Sequence, residues 1–210
     1  MKEYYAARAK EYDQIYAKPE RQADLRLIEN WLPERFVGAR VFEVAAGTGY
    51  WTQFIKPVAT SVLALDASAE TLEVAQSRPR NAGVHWIVGD AYALPKPLEP
   101  YEAAFAGFWF SHVPRARQQE FLLGLNALLK PGARVVMLDN LYIEGNSTPL
   151  TSPDSEGNTY QVRQLADGSA HRVLKNYPGE FELCDLVASF GLQPTYTTWQ
   201  YYWAFEYTVR

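Results

Sequence analysis

A few acidic and glycine positions in the first half of the chain are spaced for chemistry. Residues 41 to 50 read Val-Phe-Glu-Val-Ala-Ala-Gly-Thr-Gly-Tyr. An apolar run carries a carboxylate, Glu43, and then breaks into a small-residue turn with Gly47 and Gly49. Glycine lacks a Cβ, so the backbone can turn with positive φ and approach a ligand closely. In the dinucleotide pattern Gly-x-Gly-x-x-Gly the third glycine would fall at position 52, where Thr52 stands. That departure argues against a pyrophosphate cradle. Asp66 follows about twenty residues after the turn, where a carboxylate can accept both ribose hydroxyls. Glu43 would repel a pyrophosphate and favour a cation. The set points to a positively charged nucleoside, for which S-adenosylmethionine, with its sulfonium and ammonium, is a candidate.

The elements that must position these residues alternate. Helical patterns cover 2–17 and 20–31, the second with Leu25, Ile28 and Trp31 at helical spacing. Strands are expected at 41–44, 61–66, 84–88, 101–107 and 133–139, each a continuous apolar run. Such runs suit strands covered on both faces. Ser68 can cap the helix after the second strand, and an amphipathic helix over 115–129 should stop at Pro131-Gly132. This alternation predicts an α/β, Rossmann-like doubly wound sheet of about seven strands, mostly parallel with an antiparallel terminal strand. Segments 159–165 and 170–175 flank Asp167-Gly168 and predict a β-hairpin inserted after the fifth strand. A helix over 180–190 and strands near 193–200 and 202–209 complete the pattern. Ligands bind such sheets at the carboxyl ends of the strands, near the reversal of strand order. Glu43, Gly47, Gly49, Asp66, Asp90 and Phe108–His112 all fall at such ends.

Composition bounds the reading. The 210 residues fit a single domain spanning 1–210, with 1–31 as a helical lid and 144–178 as a cap over an acceptor pocket. The net charge of −4 offers no basic footprint, so nucleic acid is not an expected partner. A single cysteine, Cys184, leaves no internal disulfide or cysteine-rich metal site. No apolar stretch reaches membrane-spanning length, and residues 1–5 have no secretory character. A cytoplasmic monomer or homodimer is expected.

Four strings carry a family resemblance: Val-Phe-Glu-Val-Ala-Ala-Gly-Thr-Gly-Tyr, Leu-Ala-Leu-Asp-Ala-Ser, Val-Gly-Asp-Ala and Leu-Lys-Pro-Gly-Ala-Arg-Val-Val-Met-Leu. In sequence and order they resemble the class I S-adenosylmethionine-dependent methyltransferases. The likeness is greatest to the small-molecule branch that includes quinone-biosynthesis methyltransferases. It covers residues 1–140 well and leaves 144–178 unmatched. It implies that Glu43 holds the ammonium of S-adenosylmethionine through water and that the backbone from Ala45 to Gly49 lines the methionine part. It further implies that Asp66 binds the ribose, Ala67 packs on adenine, Asp90 and Ala91 face the adenine edge, and Phe108 contacts the cofactor. Thr71 stands where the family often has methionine, which puts an adenine contact there in doubt.

Methyl transfer from a sulfonium is an in-line displacement, so the protein mainly positions the nucleophile and excludes water. Where the acceptor must lose a proton, His112 is the expected general base. It can equally cap the helix that follows. The first helix carries Tyr4, Tyr5, Arg8, Tyr12 and Tyr16, of which 5, 8, 12 and 16 share a face that either simply packs or forms a lid whose Tyr5 and Tyr12 close over the cofactor and acceptor, with Tyr12 favoured near the cofactor. Asp139-Asn140 resembles the Asp-Asn pair of metal-dependent catechol-type enzymes. Phe108–His112 lacks their further Asp, so no catalytic metal is expected. The acceptor is read as a small molecule, with Trp109, Tyr142, Tyr160, Arg163, His171, Arg172 and Tyr177 as candidate pocket walls. A non-catalytic S-adenosylmethionine-binding regulator, an RNA or protein methyltransferase, and a nucleotide-dependent oxidoreductase stay open as alternatives.

Overall fold

The computed structural model describes residues 12–164 and 168–210. The expected helix over 2–11, with Tyr4, Tyr5 and Arg8, and Asp167 of the hairpin turn lie outside the described residues. Five strands run parallel: β1 (Arg40–Val44), β2 (Ser61–Asp66), β3 (His85–Val88), β4 (Tyr101–Gly107) and β5 (Leu129–Asn140). Two more, β8 (Gly191–Thr198) and β9 (Tyr202–Val209), complete a seven-stranded sheet of order β3-β2-β1-β4-β5-β9-β8. β9 is antiparallel to both neighbours, as expected for the terminal strand. β6 (Tyr160–Gln164) and β7 (Ala170–Leu174) form a separate antiparallel hairpin.

Helices α1 (Gln22–Trp31), α2 (Thr52–Ile55), α3 (Ala69–Gln76), α4 (Gln118–Asn126) and α5 (Glu180–Val187) link the strands. The pleat sends alternate residues of each strand to opposite faces. Phe42 and Val44 join one buried cluster with Leu122, Leu125 and Leu183, while Val41 joins another with Leu25, Ile28 and Leu32. Both faces are covered, which is why the strands read as unbroken apolar runs.

Three boundaries differ from expectation. The segment from Tyr12 to Tyr16 is a short 3-10 helix instead of the end of a long α-helix. α4 ends at Asn126, and β5 starts at Leu129, before Pro131-Gly132; the ladder with β4 shifts register between Tyr101 and Ala103 to absorb the extra residues. α5 ends at Val187, because Gly191 already opens β8 and sits tight against Val187 and Tyr207. Among the described residues no helix is long and apolar enough to cross a membrane.

The hairpin segment is anchored to the sheet. The Asn176 amide nitrogen donates to the Ser111 carbonyl at 2.8 Å, and its side chain donates to the Val113 carbonyl at 3.2 Å. Arg115 donates to the Gly157 carbonyl at 2.9 Å and pairs with Glu182 of α5. The 144–178 region thus packs on the loop after β4.

Candidate functional site

Strand order reverses between β1 and β4, and a cavity of about 160 Å³ opens at their carboxyl ends. Its walls include Ala45, Gly47, Asp66, Ala67, Asp90, Ala91, Phe108, His112 and Tyr12. Nine of the eleven residues singled out in the sequence therefore meet at one place. The two others, Glu43 and Gly49, sit differently.

Glu43 lines a smaller adjoining cavity of about 20 Å³ with Tyr12, Tyr16, Gly47, Tyr50 and Trp51. That space suffices for about one water. The Glu43 side chain is buried, and its Oε2 has no hydrogen-bond partner. The neighbouring Thr52 hydroxyl is also buried and makes no hydrogen bond of good geometry, though it lies close enough to Glu43 to lower its pKa. Burial pushes the Glu43 carboxyl up to about 8, and Asp66 adds to the rise. An ionised carboxylate here calls for a cation or a donor aimed at Oε2.

Gly49 is not among the cavity-lining residues. It has φ 65°, and a Cβ there would lie 2.5 Å from Asn81 Nδ2 and 2.9 Å from Ala75 Cβ. Its role is to let the turn press against α3 and the loop that follows. Gly47 has φ 56° with open space around it, so it is required for conformation alone.

Asp66 is the centre of the turn. Its Oδ2 accepts from the Gly47 amide at 2.8 Å. Its Oδ1 accepts from the Ser68 amide at 2.9 Å and from the Thr71 hydroxyl at 3.1 Å. A carboxylate offers roughly four acceptor positions, so capacity is left for a ligand hydroxyl. Burial raises its pKa, against the lowering effect of these hydrogen bonds. Thr71, where an adenine contact was doubtful, lines the cavity while spending its hydroxyl on Asp66 and on the Ser68 carbonyl. Asp90 is exposed, and its Oδ1 accepts from the Tyr92 amide at 2.9 Å.

Two non-glycine cavity residues adopt left-handed backbone, Ala45 at φ 55° and Phe108 at φ 57°. Such residues are uncommon and cluster at functional sites. No residue type announced either one. Phe108 stacks on Trp51 at 5.9 Å and meets Tyr16 and Tyr202 edge-on. Trp109 lines the cavity, and its buried Nε1 has no hydrogen-bond partner.

The 3-10 segment closes one side. The Thr48 hydroxyl donates to Asp13 Oδ1 at 2.6 Å, and Arg78 pairs with Asp13 while donating to the Thr48 carbonyl. Tyr16 stacks on Tyr50 at 3.8 Å and accepts from Trp51 Nε1. Tyr12 is placed against both cavities.

On the other side His112 is buried, and its Nδ1 lies 2.6 Å from the Leu174 carbonyl. A carbonyl only accepts, so Nδ1 carries the proton. Burial, Lys175 and Arg163 push its pKa down to about 3. A helix-capping role does not describe it, since it belongs to a short 3-10 helix, Phe110–His112, packed under the hairpin. Lys175 is buried and donates to Asp139 Oδ1 and Ser111 Oγ, each at 2.6 Å. The Asp139 carboxylate therefore already faces an ammonium.

The hairpin divides the expected pocket residues by its pleat. Gln161, Arg163, His171 and Val173 share one face, and Gln161 and Val173 are buried. Tyr160 and Arg172 lie on the opposite face, where Arg172 covers the Tyr160 ring and the Tyr160 hydroxyl donates to Asp154. Tyr177 meets Tyr142 edge-on at 5.4 Å, and its hydroxyl accepts from Gln161. Tyr160 and Arg172 are thus removed from the candidate pocket, because a one-residue step in a strand reverses the face. Sequence reasoning missed Lys175 and Arg21, whose roles depend on tertiary partners.

The chain is similar to known methyltransferases. A family profile described as a methyltransferase domain matches residues 41–132. Demethylmenaquinone methyltransferase of Renibacterium salmoninarum is 31% identical over 162 residues, covering 77% of this chain and 64% of that protein. The 2-phytyl-1,4-naphtoquinone methyltransferase of Synechococcus elongatus is 34% identical over 109 residues, covering 49% of this chain and 46% of that protein. The chain spans less than two thirds of the length of both relatives. The solved structure of DhpI in complex with SAH superposes with a TM-score of 0.80 at 26% identity, covering 99% of this chain and 94% of that one. With its strand order, its glycine turn and the carboxylates at its strand ends, the chain carries its methyltransferase-domain match on a fold shared with the class I S-adenosylmethionine-dependent methyltransferases.

Proposed function

We propose that this protein transfers a methyl group from S-adenosylmethionine to a small-molecule acceptor. The observation that carries the reading is the pairing of two adjoining cavities with opposite demands. One is walled by Asp66, Ala67, Asp90, Ala91 and Phe108, with hydrogen-bond capacity at Asp66. The other ends in the orphaned Oε2 of Glu43.

The residues fit the cofactor. Glu43 would face its ammonium, and the backbone from Ala45 to Gly47 would border its amino-acid part. Asp66 would accept from the ribose hydroxyls, Ala67 would pack on the base, and Asp90 with Ala91 would border its edge. The bound cofactor supplies an electrophilic methyl on sulfur, with a neutral thioether as leaving group. The protein's share is orientation and the exclusion of water. Phe108, Trp51 and Tyr16 form an aromatic wall that keeps the interior dry. Tyr12 and His112 stand on opposite sides as candidates for contact with the acceptor, His112 as a neutral imidazole. The hairpin region over 144–178 would roof the acceptor, with Tyr177 and Tyr142 as apolar walls. The relatives' names refer to quinone acceptors, a class that this aromatic lining could also admit.

Calorimetric titration with S-adenosylmethionine and S-adenosylhomocysteine tests the reading. Saturable binding of both is expected, with a thermal midpoint that rises with ligand concentration. Absence of binding at millimolar ligand would remove the proposal.

A further inference from the structure

Asp66 is already crowded by donors of its own chain. Its Oδ1 accepts from the Ser68 amide at 2.9 Å and from the Thr71 hydroxyl at 3.1 Å, and its Oδ2 accepts from the Gly47 amide at 2.8 Å. A carboxylate offers about two acceptor positions on each oxygen. Oδ1 is therefore full, and one position stays open on Oδ2. The Ala67 amide also lowers the pKa of the carboxyl, without a hydrogen bond of good geometry. A ribose brings two adjacent hydroxyls. The second can be accepted only if one of the three donors withdraws.

The three donors differ in their freedom to do so. The Gly47 amide belongs to the glycine turn, and Ser68 is the N-cap of α3. Neither amide can turn away without moving the chain. Thr71 can, because its Oγ1 also lies 2.9 Å from the Ser68 carbonyl. A hydroxyl has one proton, and rotation about its C–O bond carries that proton from one acceptor to the other. The Ser68 carbonyl otherwise accepts only the Leu72 amide, at 3.3 Å, so it keeps a lone pair for Thr71. Back-bonding of this kind is ordinary for a threonine in a helix. Thr71 and Ser68 are both buried, and both line the cavity with Asp66.

We infer that Thr71 competes with the ribose for Asp66 Oδ1 and so sets how strictly the protein demands both sugar hydroxyls of its cofactor. The inference rests on the methyl-transfer reading above and deepens its cofactor site. While the cavity is empty, the Thr71 proton compensates a carboxylate held away from water. An ionised acceptor holds a hydroxyl more strongly than a neutral carbonyl does. Turning the proton to Ser68 therefore opposes binding, and the hydroxyl that displaces it gains only the difference. One ribose hydroxyl binds at full strength on the open position of Oδ2, and the other adds little.

Calorimetric titration of the full chain with S-adenosylhomocysteine and with its 2′-deoxy and 3′-deoxy forms tests the inference. In the wild-type protein one deoxy form should bind within about threefold of S-adenosylhomocysteine, and the other roughly tenfold or more weakly. Thr71→Val keeps the shape of the side chain and removes the competing proton. This variant should bind S-adenosylhomocysteine about threefold or more tightly than the wild type, in line with one net hydrogen bond. Its affinity for the tolerated deoxy form should stay unchanged, which also reports an intact site. Thr71→Ser keeps the hydroxyl and should match the wild type with all three ligands. Equal or weaker binding of S-adenosylhomocysteine by Thr71→Val overturns the inference, since Thr71 would then support Asp66 instead of competing for it. A wild-type protein that treats the two deoxy forms alike overturns it too, and that arm needs no variant to fold. Failure of the wild-type protein to bind S-adenosylhomocysteine at all would instead remove the methyl-transfer reading.

Discussion

Asp66 does two things at once. It holds the Gly47 amide, and so the shape of the turn, and it presents its remaining acceptor capacity to the cavity. Asp66→Ala should therefore weaken S-adenosylhomocysteine binding by at least tenfold in calorimetry, since ligand hydroxyls lose their acceptor and the Gly47 amide loses its partner. Unchanged affinity would refute the assignment. Glu43 gives a sharper test through pH. Its pKa of about 8 in the folded chain lies above the ordinary 4.5. Between those values the folded chain holds a proton that the unfolded chain has released, so the free protein loses stability as pH rises through that window. A ligand ammonium favours the ionised form, so binding near pH 7 should release a proton from Glu43. Calorimetry in buffers of different ionisation enthalpy should detect that release, and Glu43→Gln should abolish its Glu43-dependent part. Equal proton release in wild type and variant would assign it elsewhere.

The hairpin is the element that sequence alone described least well. Its existence was legible from Asp167-Gly168 between two polar-alternating runs. Its inner and outer faces were not, because they depend on where it docks. Lys175, just past β7, reaches the end of β5 and is buried with Asp139. Removing one partner of such a pair strands the other charge in a poor solvent, a loss of about 3–5 kcal/mol. Lys175→Met should thus lower the urea midpoint strongly. The double variant Lys175→Met with Asp139→Asn should recover part of the loss, which a denaturation series on the three proteins would reveal. No recovery would mean that Lys175 acts through packing alone.

At the scale of the whole molecule, the sheet was legible because each strand is a continuous apolar run ending in a diagnostic residue. Glu43, Asp66 and Asp90 all sit at or just past the strand ends where the pattern placed them. What resisted reading shares one property: it joins residues distant in sequence. Arg21 meets Asn140, Asp13 meets Arg78, and Lys175 meets Asp139. Local periodicity carries no information about such partners. The left-handed backbone at Ala45 and Phe108 was hidden for another reason, since neither side chain favours that conformation and only the surrounding packing enforces it.

The Lys175–Asp139 pair gives the molecule a direction. A hairpin held by two buried charges is expected to stay closed, because opening would leave both without compensation. The opposite wall is fastened differently. Asp13 and Arg78 hold the Tyr12–Tyr16 segment through an ion pair that keeps partial contact with water, where such pairs are weak and easily exchanged, and the buried Thr48 adds one hydrogen bond to Asp13. Traffic into and out of the cavity is therefore expected on that side, past Tyr12, with the hairpin as the fixed jamb against which the door closes.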